Sequence, residues 1–121
     1  MNTPIKTGID LIAEERARQV VVESWMPEHD DQHKDGGLAL AAADYAFIST
    51  LYQRQTGDYG DELKQARDFE LGTFAGDIAH NLWPWDFEWW KPKSPIRDLV
   101  RAGALIVAEL DRRLRAGETL E

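Results

Sequence analysis

Residues 38–51 constrain the fold more than any other stretch. Leu38, Ala39, Leu40, Ala41, Ala42, Ala43, Ala46, Phe47, Ile48 and Leu51 leave almost no polar face, the mark of a helix packed on several sides. The pattern predicts a central helix that is capped by Asp35, begins at Gly36 or Gly37 and runs to about Tyr52. Its alanine-rich first half admits close neighbours, and Tyr45 and Tyr52 can carry a hydroxyl to its edge. Asp44 is the exception: a carboxylate in that surface must face solvent, a partner or a site, because an unpaired buried charge is costly.

The rest of the chain supplies helices to surround it. Thr7 with Asp10 three residues on resembles a capping box, and Ile9, Ile12, Ala13, Ala17, Val20 and Val21 recur at three- and four-residue steps, predicting a helix over 9–23. Glu15, Gln19 and Glu23 lie along another side of it. That row reads either as a solvated face, supported by pairs such as Glu14 with Arg18, or as one wall of a polar cleft. Pro27 ends the helix. Residues 53–60 read as a loop, and 61–81 as two shorter helical pieces with a break or kink at Gly72 and Gly76. The last helix is the clearest, with Ser94 as cap, Pro95 at its first position and Gly117 just past its end. Ile96, Leu99, Val100, Gly103, Ile106, Val107, Leu110 and Leu114 form one stripe that a small bundle is expected to bury, while Arg112, Arg113 and Arg115 sit where the helix dipole favours cations. The expectation is an all-α fold: a compact four-helix (or five-helix) bundle-like single domain over 1–121, with an ordered Trp-rich loop. An apolar central helix with so few neighbours leaves surplus hydrophobic area, which predicts a homodimer or higher homo-oligomer.

Composition removes several classes of function. The 121 residues include no cysteine, so disulfides, a thiol nucleophile and thiolate zinc sites are excluded. A net charge of -8, from 14 Lys and Arg against 22 Asp and Glu, argues against bulk nucleic acid as a partner, because phosphate neutralisation needs clustered cations. The longest apolar run is far short of a membrane span, and Met1 to Gly8 lacks signal-peptide character, so a cytoplasmic protein is expected.

Two stretches carry chemistry. Glu28-His29-Asp30-Asp31-Gln32-His33 sets three carboxylates and two imidazoles just ahead of the apolar helix. Without thiolates, such donors suit magnesium, manganese, or an open non-haem iron or zinc site. The plain alternative is a hydrogen-bonded turn that caps the helix. Residues 83–95 hold Trp83, Trp85, Trp89 and Trp90, four of the five tryptophans, broken by Pro84, Pro92 and Pro95. The rings either pin a loop over the core or, at Trp85 and Trp90, form a platform for a nucleobase, with Lys91 and Lys93 near its phosphates. In the last helix Asp98 and Glu109 point the same way but lie roughly 16 Å apart along the axis, so they cannot share one small ion. Asp98, nearer the tryptophans, is the better candidate.

Taken together, Glu15-Arg16-Ala17-Arg18-Gln19, Trp25 with residues 27–33, Gly36, Trp83-Pro84-Trp85, Trp89-Trp90-Lys91-Pro92 and residues 97–112 resemble a family of small proteins encoded by bacteriophages and prophages. The resemblance spans nearly the whole chain except 53–79, and implies a viral accessory role, including an anti-defence protein that sequesters a nucleotide signal or blocks a host protein. More distantly, the opening arginine-glutamine helix, the histidine-glycine turn and the closing acid-aspartate-arginine helix are similar to MazG-like nucleotide pyrophosphohydrolases. That similarity implies magnesium-assisted splitting of a nucleoside triphosphate. By it, Glu15, Asp30 and Asp31 are candidate catalytic residues and Asp30, Asp31, Asp44 and Asp98 candidate metal ligands, with His29, His33, Trp85, Trp90, Lys91 and Arg97 toward the nucleotide. The chain departs from that group where a glutamate-rich metal helix is expected: residues 37–43 are Gly-Leu-Ala-Leu-Ala-Ala-Ala, followed by Asp44 alone.

Overall fold

The structure is a computed structural model and describes residues 5–24, 27–54 and 60–121. The resemblance drawn through Trp25 and part of the loop at 53–60 lie outside the described residues. Among the described residues, six α-helices and one 3-10 turn follow in order: α1 Gly8–Val21, α2 Pro27–Asp30, α3 Gly37–Leu51, α4 Glu62–Arg67, α5 Phe74–Leu82, the 3-10 turn Phe87–Trp89, and α6 Pro95–Arg115. No strand forms among the described residues, and none of their helices is long and apolar enough to cross a membrane. The fold is the all-α single unit that the sequence predicts.

Local signals act as read. Thr7 and Asp10 form a full capping box at α1, and the Ser94 hydroxyl accepts from the Arg97 N–H at α6. At α3 the cap differs: Gly36 is the capping residue in the left-handed region (φ 86°), and the Asp35 carboxylate accepts the Gly37 N–H at 3.0 Å. A side chain at 36 would be strained there, so the first glycine of the pair is what the turn requires. The 61–81 region splits into α4 and α5 around Gly72 (φ 86°), whereas Gly76 lies inside α5 beneath the Thr73 cap.

The core sits where α3 meets α6, its most extensive neighbour, with α5 and α4 closing the other side. Leu38, Ala41, Ala42, Ile48 and Leu51 of α3 share one buried cluster with Ala102, Leu105 and Ala108 of α6 and Ala75 and Ala79 of α5. Alanines on all three helices let the backbones approach closely. Fully burying each leucine or isoleucine stabilises the fold by about 1.5–3 kcal/mol.

Two helices turn a face other than the expected one inward. On α6, Ile96, Leu99, Ile106, Leu110 and Leu114 are exposed, and the buried face carries Asp98, Glu109 and Arg112 beside the alanines. On α1, Ile9, Ala13, Ala17 and Val21 are exposed while Glu15 and Gln19 are buried. The reason is pairing between distant charged side chains, Glu15 with Arg97 and Asp31 with Arg115. These contacts hold the polar faces of α1, α2 and α6 toward one another.

Candidate functional site

The inward polar face of α1 builds one wall of a cleft. Arg18 grips Glu15 with Nε and Nη2, at 2.8 and 2.7 Å, and reaches Glu23 at 2.9 Å. From α6, Arg97 donates to the same Glu15 carboxylate at 3.2 Å. Burial alone would raise the Glu15 pKa, but the hydrogen bond from Arg18 and the charges of Arg18, Arg97 and Arg101 bring it below the usual value. The Arg18 guanidinium is correspondingly held in its charged form. The row Glu15, Gln19, Glu23 is therefore a cleft wall, and Glu14 pairs with Lys6 rather than with Arg18.

The acidic-histidine stretch forms the short helix α2 and the turn after it. His29 and His33 lie four residues apart with ring centroids 5.0 Å apart, and His33 meets Trp85 at 5.2 Å. Partial burial, then the neighbouring His29, lower the His33 pKa, so its ring is neutral near pH 7. Gly37 eases the Trp85 approach, since a Cβ there would stand 3.3 Å from the indole Nε1 and push it back by a few tenths of an ångström. From Trp85 the rings continue inward. Trp83 lies at 5.4 Å, Trp90 at 5.1 Å from Trp83, and Trp90 stacks on both Tyr45 and Phe69 at 5.3 and 5.0 Å. This chain of aromatics, with Trp83 donating to the Asp86 carbonyl and Trp90 to the Arg67 carbonyl, pins the proline-broken loop.

Between these walls lies an open cleft of about 730 Å³, a size suited to a small molecule. Trp83, Trp85 and Trp89 line it beside the two histidines, and the cations Arg18, Lys91 and Arg101 face it with the acids Glu15, Glu23 and Asp86. Arg101 lies over the Tyr45 ring at 5.6 Å and donates to the Lys91 carbonyl; the Lys91 N–H donates to the Tyr45 hydroxyl at 3.2 Å. Trp89 is 56% exposed, so an indole surface is presented to whatever enters.

Of the residues expected from sequence, Glu15, His29, His33, Trp85 and Lys91 come together at this cleft. Trp90 is buried in the core, and Arg97 is on the α1–α6 seam as the partner of Glu15. The four carboxylates proposed for a metal are dispersed. Asp30 is fully buried against Arg16 at 3.3 Å, and Asp31 pairs with Arg115 at 2.8 Å. Asp98 accepts from the Tyr52 hydroxyl and the Lys93 N–H, at 2.8 and 2.9 Å. Asp44 is fully buried with neither carboxylate oxygen hydrogen-bonded, and burial pushes its pKa up to about 8. Among the described residues it has no hydrogen-bond partner, and it does not line the cleft. Among the described residues no three His, Asp or Glu side chains are grouped to hold a metal ion. The donor set implied for magnesium does not fit as placed.

Sequence reasoning missed Arg18, Tyr45 and Arg101 as cleft residues. Arg101 follows Arg97 by one helical turn on the flank of the apolar stripe, a spacing that a polar-face reading of α6 could have picked out. No protein-family model, curated protein or solved structure matches the chain.

Proposed function

We propose that the protein binds a nucleotide or nucleotide-derived phosphorylated compound in this cleft and retains it without converting it. The observation that carries the reading is one cavity joining the half-buried Trp85 and the exposed Trp89 to the cations Lys91 and Arg101. Indole faces stack on any base, at about 1–3 kcal/mol per base. The cations offer charge-assisted hydrogen bonds to a phosphate, and Glu23 and Asp86 can accept from ribose hydroxyls or exocyclic amines. Retention rather than hydrolysis is favoured because Asp30, Asp31 and Asp98 are each committed to a different protein partner. Retention also suits sequestration of a nucleotide signal, the accessory role implied by the resemblance to phage-encoded proteins.

Phosphorus NMR of a mixed pool of ribonucleoside mono- and triphosphates, cyclic dinucleotides and ADP-ribose, with magnesium and near-stoichiometric protein, tests this. One compound should broaden or shift and stay intact. Unperturbed spectra for the whole pool would overturn the proposal. Release of pyrophosphate would replace retention with turnover.

A further inference from the structure

The ion pairs that build one wall of the cleft have a second cavity behind them. Leu11 and Glu14 of α1, with Ser94, Ile96, Arg97 and Val100 at the start of α6, line a space of about 410 Å³. Glu15 and Arg18 line both this space and the larger cleft, so the two cavities lie on either side of one pair of side chains. Of the α6 cations around Glu15, Arg101 lines the larger cavity and Arg97 the smaller. These two stand one helical turn apart, roughly 6 Å along the axis.

The charge at this junction suits a phosphate bridge. Arg18, Arg97 and Arg101 surround the Glu15 carboxylate, and Glu23 takes one edge of Arg18, so three guanidiniums face two carboxylates. Arg97 directs Nη1 to Glu15, and Arg101 directs Nη1 to the Lys91 carbonyl. A guanidinium has five N–H donors, so each has others to offer to phosphate oxygens. Their separation of one turn lets each take one phosphate of a pyrophosphate bridge. The two cavities also differ in lining. Tryptophans line the larger, whereas among the described residues the smaller has no aromatic ring. Its aliphatic Leu11, Ile96 and Val100 stand with the Glu14 carboxylate and the Ser94 hydroxyl. Such a lining fits a sugar, with its apolar C–H faces and its hydroxyls in need of partners, better than a bare hydrocarbon chain.

Building on the nucleotide reading of the cleft, we infer that the ligand is a dinucleotide. One base stacks among the tryptophans, the phosphate bridge crosses at Arg101 and Arg97, and the second nucleoside occupies the smaller cavity. AMP and diadenosine diphosphate share a base and carry nearly the same charge at pH 8, so they differ chiefly in the second nucleoside. Calorimetric titration of the full chain should give binding of diadenosine diphosphate that is tighter than that of AMP by about tenfold or more, tenfold being about 1.4 kcal/mol. Val100→Trp fills the smaller cavity from its own wall and should bring diadenosine diphosphate down to the affinity of AMP, with an unchanged helical circular dichroism spectrum. Ile96→Trp should do the same from a position 63% exposed, where the core is not disturbed. Equal affinities for the two compounds in the unaltered protein would overturn the inference and leave the nucleotide reading of the cleft standing. Binding of neither would overturn both. A dinucleotide advantage that survives in both tryptophan variants would also overturn the inference, because the second nucleoside would then lie outside the smaller cavity.

Discussion

Two buried carboxylates mark the contrast between the cleft and the core. Glu15, 3% exposed at the cleft wall, is held by Arg18 and Arg97 and stays ionised; Asp44, fully buried in α3, has no hydrogen-bond partner among the described residues and carries a proton at pH 7. Both carboxylates are shielded from solvent, Asp44 the more deeply, and only Glu15 has cations to offset the cost of its charge. The cleft wall is electrostatically organised and keeps its charges beside a cavity, whereas the core pays for one polar group that it does not satisfy.

Replacing each acid by its amide should therefore have opposite effects, and the larger is at Asp44. Its folded-state pKa, about 8 against an ordinary 3.8, means that the folded state keeps a proton the unfolded chain releases. This contribution is fully present below pH 3.8 and is lost as pH rises toward 8, at no more than about 1.4 kcal/mol per pH unit. His33, whose pKa is lowered by folding, opposes it only below its ordinary value of 6.5. Asp44→Asn should remove the Asp44 slope. At pH 9 it should be more stable than the natural protein by a few kcal/mol, measured by urea unfolding at pH 5, 7 and 9. An unchanged pH profile would show that Asp44 is paired or solvated.

Glu15→Gln should act the other way, lowering stability by about 1–3 kcal/mol, less than a fully buried pair because Arg18 and Arg97 are each about 40% exposed. The same change removes a negative charge beside the cleft, so affinity for a phosphorylated ligand should rise while the unfolding midpoint falls. Calorimetric titration alongside thermal unfolding separates the two. Parallel losses in both would contradict the distinction between cleft and core.

Much of this contrast is invisible in the sequence. The tryptophan loop is ordered partly by Tyr45, Phe69 and the Arg67 carbonyl, far from it in the chain, but the capping box at Thr7, the Ser94 cap and the apolar α3 all follow from residues close in the chain. The inward faces of α1 and α6 do not. Their apolar stripes are the stronger local signal, but Glu15 with Arg97 and Asp31 with Arg115 join residues more than eighty positions apart, and periodicity within one helix cannot register them. The acidic-histidine stretch was legible as a chemical site, yet its two aspartates are used to fasten α2 to α1 and α6, leaving the histidines for the cleft. Asp44 stood out in the sequence as an anomaly; that nothing would satisfy it was not readable there.

Smaller effects sharpen the cleft side. Trp85→Ala should weaken nucleotide binding about ten- to a hundredfold by removing one stacking face, with helical content unchanged. A fluorescence titration that finds wild-type affinity would remove Trp85 from the site. Gly37→Ala should be the mildest, costing under about 1 kcal/mol as the Asp35 carboxylate and the Trp85 indole, 3.1 and 3.3 Å from the new Cβ, give way. Its affinity loss should be smaller than that of Trp85→Ala. A larger loss would mean that the glycine itself contacts the ligand.

The most direct test of the cleft as the binding site is the set of indole N–H signals in a proton–nitrogen correlation spectrum, followed during titration with the nucleotide that phosphorus NMR selects. Trp85 and Trp89 face the cavity while the Trp90 N–H is fixed to the Arg67 carbonyl in the core. Trp85 and Trp89 should show saturable shifts while Trp90 stays nearly stationary. Saturable binding that leaves Trp85 and Trp89 unmoved would contradict the cleft as the binding site.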